Sequence, residues 1–187
     1  MTPTTRERIL DAAVQLTTSS GWAAVTMARL ADQVGVSRQT VYNEVGSKPA
    51  LAEAMILDEL ARFLAVVDRA FDAEPDDLAR AIERSVTDVL TYARANPMLH
   101  AVVSATHGAD TELLPLLTTN AGSLLEAAKE VVLARVAAYA PDLDAAHLEP
   151  ATDMVVRVVL SHVMQPSAPP EKTGADLAWL AGRVLDA

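Results

Sequence analysis

Apolar positions recur every three to four residues along almost the whole chain, and no segment alternates apolar and polar residues for more than a few positions. The pattern predicts an all-α fold of about nine helices. A first helix is expected over 5–20, with Ile9, Ala13 and Leu16 on one face and Gly21 ending it. Thr26 can cap a short second helix whose Met27, Leu30, Ala31 and Val34 point inward and which Gly35 terminates. Ser37 can cap a third, from Arg38 to about Glu44. Ser47 can cap a long fourth, to about Asp72, with Pro49 tolerated in its first turn. Its stripe is Ile56, Leu60, Phe63, Leu64, Val67 and Phe71.

Further helices are expected from Pro75 to about Ala95 and from Pro97 to about His107. A longer one should run from Asp110 to Tyr139, either continuous or interrupted near Pro115 and Gly122. The last two are expected from Ala151 to Met164 and from Thr173 to Asp186, separated by the Pro-rich linker at 165–170. The eighth helix is apolar on two faces: Ala151, Met154, Val155, Val158, Val159 and His162 on one, Val156, Leu160 and Val163 on the other. Two apolar faces need two packing partners. Either this is a central core helix, or its second face meets another chain. The stripe Leu177, Leu180, Ala181 and Val184 beside Trp179, on a terminal helix, favours a homodimer seam built from these residues.

Residues 27–45 have the grammar of a helix-turn-helix: two short helices joined at a glycine, the second presented outward. Gly35 supplies the positive φ of the turn, and Ala31 is small where the helices cross. Leu30, Val34, Val36 and Val41 make a minimal core. Following the capping Ser37, the third helix exposes Arg38, Gln39, Thr40, Tyr42 and Asn43, types that bind base edges and phosphates, at the end that enters a major groove.

Charge restricts where such contact is possible. The chain carries 15 Lys and Arg against 25 Asp and Glu, a net −10. Residues 1–48 hold five of the basic and four of the acidic groups, so the remaining 139 residues are strongly acidic and repel DNA. DNA contact belongs to the head. The absence of cysteine removes disulfides, thiolate catalysis and cysteine-based metal sites, and suits a reducing cytosol. The longest charge-free run, 12–28, contains Gln15, four consecutive Ser/Thr residues and Gly21, so no membrane span is expected. The N-terminus has no apolar signal-peptide core, and a cytoplasmic location follows as the expectation.

The segment SRQTVYNEVGSKPAL, Ser37 to Leu51, resembles the recognition helix and following segment of the TetR family of bacterial transcriptional regulators. RERILDAAVQL at 6–16, the pair Gly21-Trp22 and VTMARLADQVGVS at 25–37 match in the same order. The resemblance implies an N-terminal DNA-binding head over 1–48 and a ligand-binding and dimerisation body over 49–187. It implies that Thr26 and Lys48 contact phosphate, that the Tyr42 hydroxyl does likewise, and that Arg38, Gln39 and Thr40 occupy the base-reading stretch. Two positions depart from the family pattern: Val45 replaces a common aromatic, and Glu44 puts a carboxylate where phosphate would be repelled. The resemblance also implies a homodimer through the last two helices and a cavity within the body. Phe63, Leu64, Tyr92, Met98, Leu99 and His100 lie on the helices that enclose such a cavity. The expected partners are operator DNA, a second copy and a small, mainly apolar ligand, with no cofactor, metal or membrane.

No other constellation competes. His100 and His107 lie two helical turns apart, roughly 10 Å, too far for one metal. His147 and His162 lack obvious partners, and Asp142, Asp144 and Glu149 read as a solvated acidic end. No nucleophile–base set and no glycine-rich phosphate loop occurs. The expected function is a ligand-released repressor on a palindromic operator, not an enzyme. The alternatives are a helical regulator without a ligand, and a helical enzyme or carrier with a vestigial head.

Overall fold

A computed structural model of the protein describes residues 2–105 and 121–185. Among the described residues there are nine α-helices and no strand. They are α1 (Thr5–Ser20), α2 (Met27–Val34), α3 (Arg38–Val45), α4 (Lys48–Ala73), α5 (Leu78–Ala95), α6 (Pro97–Ala105), α7 (Ala121–Ala137), α8 (Ala145–Met164) and α9 (Pro170–Leu185), with a 3₁₀ turn over Trp22–Ala24. None is long and apolar enough to cross a membrane.

The chain divides into two compact units. The first runs to Glu59 and takes in the segment beginning at Asn96; the second comprises Leu60–Ala95 and the chain from Gly122 onward. Helix α4 therefore contributes its first half to one unit and its second half to the other. The first unit buries Ile9, Ala13, Leu16, Trp22, Val25, Leu30, Val41, Leu51 and Met55 in one core, joined by Met98 of α6. Asn96 caps α6 by accepting the Leu99 N–H at 3.0 Å, and its amide donates to Glu59.

The second unit is centred on α5, whose Ala81, Ile82, Val86, Val89 and Leu90 are buried with Val66, Val67 and Phe71 of α4 and Leu177, Ala178 and Ala181 of α9. Small residues let α9 lie close along α5: a Cβ on Gly174 would stand 2.2 Å from Thr87 Oγ1 and 2.8 Å from the Glu83 carbonyl oxygen. Helix α7 is tied to the end of α4. Arg135 bonds Asp68 and Asp72, each at 2.7 Å. The Tyr139 hydroxyl donates to the carbonyls of Phe71 and Glu74 at 3.2 and 2.7 Å, and burial pushes that hydroxyl's pKa up.

Two helix starts in the C-terminal part differ from the sequence expectation. Helix α8 starts at Ala145, not Ala151, and carries Pro150 inside it. Asp144 is its N-cap, accepting the His147 N–H at 3.0 Å and pairing with the His147 ring at 2.7 Å, which holds the Asp144 carboxyl below the usual range. Asp142, Asp144 and Glu149 are all exposed, as a solvated acidic end would be; Asp144 in addition starts the helix, and Glu149 lies 3.4 Å from Lys129. Helix α9 starts at Pro170, because a proline at the first helical position gives up no hydrogen bond. The expected start of the seventh helix at Asp110, and His107, lie outside the described residues.

Candidate nucleic-acid interface

The helix-turn-helix is set by local chemistry. Thr26 caps α2 by accepting the Arg29 N–H at 3.2 Å. Gly35, at φ 75°, turns the chain, and the N–H groups of Gly35 and Val36 both donate to the Ala31 carbonyl, at 2.9 and 3.0 Å. Ser37 caps α3, accepting the Thr40 N–H at 3.0 Å. Gly46, at φ 72°, ends it, its N–H donating to the Tyr42 carbonyl at 2.9 Å. A capping hydroxyl accepts through oxygen and keeps its own O–H available, so Thr26 and Ser37 can cap and still donate to a phosphate.

Two basic residues that a charge count would assign to DNA are used inside the head. Arg8 of α1 donates to the Val34 carbonyl at the end of α2, and Arg6 donates to the Glu44 carbonyl in the last turn of α3. A guanidinium at a helix C-terminus satisfies an orphan carbonyl and opposes the negative end of the macrodipole. Helix α1 therefore fixes the far ends of both helices of the motif. Arg29 likewise donates to the Ala24 carbonyl at 3.0 Å. The Lys48 ammonium lies 5.0 Å from the centroid of the buried Trp22 ring, a cation–π contact that fixes the start of α4. Sequence reasoning missed these roles; those of Arg6, Arg8 and Lys48 join residues far apart in the chain.

The outward face of α3 holds what is left. Arg38, Gln39, Tyr42 and Asn43 are exposed, Tyr42 at 45%, while Thr40 is half-buried and Val41 and Val45 are buried. Gln39 Nε2 donates to Asn43 Oδ1 at 2.9 Å across one helical turn, and Ser37 Oγ and Thr40 Oγ1 lie 2.9 Å apart. The face offers donors, acceptors and one guanidinium on a helix whose positive end leads. That is chemistry suited to reading a nucleic acid.

Comparison with known proteins agrees. The family model described as bacterial regulatory proteins, tetR family, matches residues 9–55, and the one described as the bacterial tetracyclin repressor C-terminal domain matches 77–183. The chain belongs to the TetR family. The HTH-type transcriptional regulator AlkX of Mycobacterium tuberculosis is 29% identical over 179 residues, covering 94% of this chain and 82% of that protein. The crystal structure of the TetR family repressor AlkX from Dietzia sp., implicated in biodegradation of n-alkanes, superposes with a TM-score of 0.75 at 28% identity, covering 97% of this chain and 95% of that one. The nucleoid occlusion factor SlmA of Vibrio cholerae is 36% identical over 100 residues, about half of each protein. This TetR-family protein is a DNA-binding transcriptional regulator.

The other predicted residues fall in different places. Phe63 and Tyr92 meet edge to face in the second unit, ring centroids 4.8 Å apart, and Leu64 is half-buried there. Met98 is packed into the core of the first unit; Leu99 is half-buried and His100 exposed. Of the expected interface residues, Leu160, Leu180 and Val184 are exposed, as is Trp179 at 64%. Val156 and Leu177 are buried within their own unit, and Val163 packs partly against its core.

Beyond Lys48 the regulator has ten basic side chains. Arg84, Lys129, Arg135, Arg157 and Lys172 each sit within 3.1 Å of a carboxylate. Glu126, the nearest carboxylate, holds the Lys129 pKa up. Arg94 donates to the Ala168 carbonyl at 2.6 Å, and Arg183 lies over the Trp179 ring at 5.6 Å.

Proposed function

We propose that this regulator is a cytoplasmic homodimeric repressor that residues 1–48 dock on a palindromic operator and that a small, mainly apolar molecule, neutral or cationic and bound by 49–187, releases. In this reading α3 enters the major groove. Arg38, Gln39 and Thr40 face bases, and Thr26, Ser37, Tyr42 and Lys48 hold phosphates. The observation that carries it is the exposed polar face of α3, with Arg38 leading, on a head whose Arg6 and Arg8 are committed to helix ends.

The second copy covers the apolar residues exposed on α8 and α9: Met154, Leu160, Met164, Trp179, Leu180 and Val184. Two heads joined this way meet half-sites one or more DNA turns apart, about 34 Å per turn. A ligand that binds better to a form with the wrong spacing lowers operator affinity by that difference.

That the ligand is not an anion rests on the cations of the body. A buried anion needs a buried partner, and of the body's cations Arg94 is held by the Ala168 carbonyl and Arg135 by Asp68 and Asp72. The likeness to the Dietzia regulator implicated in n-alkane biodegradation points to a long hydrocarbon chain. The test uses genomic fragments pulled down by the protein as operator, and measures their release by a long-chain alkane, the matching primary alcohol and the matching carboxylate. Release by the alkane or alcohol is expected. Release by the carboxylate alone overturns the charge argument, and no release by any apolar compound favours a regulator without a ligand.

A further inference from the structure

We propose that Gln39 and Asn43 act as one reading unit on α3: Asn43 is a positioning residue that holds the Gln39 amide in the orientation that selects adenine. This rests on the reading of α3 as the groove-entering helix, and adds which base is chosen and what fixes the choice.

The two amides lie one turn apart on the exposed face, with Gln39 Nε2 donating to Asn43 Oδ1 at 2.9 Å. A glutamine on a helix surface is ordinarily free to rotate, and an amide that can turn over presents donor and acceptor in either order. The bond to Asn43 removes that freedom. In the proposed arrangement it uses the Gln39 N–H anti to Oε1 and leaves the syn N–H beside Oε1 with its two lone pairs. That adjacent donor and acceptor match adenine in the major groove, whose N7 accepts and whose N6 amino group donates. Guanine shows two acceptors there, and Oε1 would face one of them. Asn43 keeps both of its own N–H groups, so it can bond a phosphate or a neighbouring base without giving up its hold on Gln39.

The neighbours keep the pair intact. Thr40, between them in sequence, pairs its hydroxyl with that of Ser37, the two oxygens 2.9 Å apart, and so does not compete for the Gln39–Asn43 bond. Val41 is buried, so α3 is held in rotation by the core and the Gln39–Asn43 edge stays outward. The basic group of this face, Arg38, lies on the preceding position and reads a different base pair.

The pair predicts a particular pattern of loss. Gln39→Ala removes the bidentate contact and should reduce discrimination for adenine at one position per half-site by roughly 5- to 100-fold. Asn43→Ala leaves Gln39 in place but frees it, so discrimination at that same position should fall about 2- to 10-fold, the cost of ordering one side chain on binding. The double variant should be no worse at that position than Gln39→Ala alone, because the second change removes only what acts through the first. Asn43→Asp keeps the acceptor for Gln39. It should retain the adenine preference while weakening all sequences alike, since its charge repels phosphate.

The experiment is selection from a randomised duplex DNA library by the full-length protein and by these four variants, with Arg38→Ala as a fifth, followed by sequencing and a thermal melt of each. Both residues are exposed, so unchanged melting is expected. Loss at one shared position, non-additive in the double variant and spared in Asn43→Asp, supports the pair. An effect of Asn43→Ala at a different position, an additive double variant, or an unchanged Asn43→Ala profile overturns it while leaving α3 as the reader. If Gln39→Ala and Arg38→Ala both keep the parent profile, α3 does not read bases, and the groove reading falls together with the pair.

Discussion

Gly174→Ala tests the close approach of α9 to α5, which sets the direction in which α9 presents Trp179, Leu180 and Val184. Two effects oppose each other. Replacing a mid-helix glycine by alanine ordinarily stabilises by about 0.5–1 kcal/mol. Here the new methyl would sit 2.2 Å from Thr87 Oγ1 and 2.8 Å from the Glu83 carbonyl oxygen. The threonine can rotate away, but the carbonyl belongs to the backbone of α5, so the helices must separate by several tenths of an ångström. Overpacking of this kind costs about 1–3 kcal/mol, and the surrounding Leu177, Ala178 and Ala181 are all buried and must shift together. The expected net loss is about 0.5–2 kcal/mol. Gly182 on the same helix is the control, since a Cβ there meets nothing within 4 Å; Gly182→Ala should gain the propensity term alone. Urea unfolding followed by circular dichroism, at one fixed protein concentration because a dimer's stability depends on it, compares the two. Adding Thr87→Ala to Gly174→Ala should recover part of the loss by removing the shorter contact. A Gly174→Ala variant as stable as the parent would mean that α5 and α9 do not approach this closely.

Arg38→Ala should weaken specific binding by about 1–3 kcal/mol and relax preference at one position per half-site, whereas Tyr42→Phe and Lys48→Ala should weaken all sequences alike; losing Lys48 should lower the salt slope by about 1 per contact, and a salt titration with the parent slope would refute that contact. Leu160→Asp, at a site 43% exposed, should give a folded monomer, and Val156→Asp, at 7%, should unfold the chain by burying an unpaired carboxylate; sedimentation with circular dichroism separates the two, and a dimeric Leu160→Asp would remove α8 from the seam. Glu7 accepts the Thr4 N–H at 2.6 Å, which holds its carboxyl below the usual range. A depressed folded-state pKa adds stability above the ordinary glutamate pKa that is lost as pH falls through the lowered value, so Glu7→Gln should narrow the stability gap to the parent in acid, and a gap independent of pH would refute the capping box.

The sequence by itself determined the features whose physics is local. Caps, glycines of positive φ and helical periodicity act within four residues, so Thr26, Gly35 and Ser37 placed α2 and α3 to the residue or nearly so, and with them the outward polar face of α3. The same locality misplaced α8. Pro150 lacks an N–H and reads as a boundary, yet the helix continues through it from Ala145, since Asp144 caps the start and Leu148 packs on the core of its unit. Tertiary structure also decided which charges are available. Arg6 and Arg8 count as DNA-binding charge in composition, but carbonyls 38 and 26 residues away claim them. Periodicity put Val156 and Leu160 on one apolar face, and only packing could tell that the first is core and the second is free for a partner. Nothing in the helical pattern marks Gly174; its constraint comes from α5 lying against it. Hydrophobic pattern specifies that a face is buried; the identity of what buries it is a property of the folded whole.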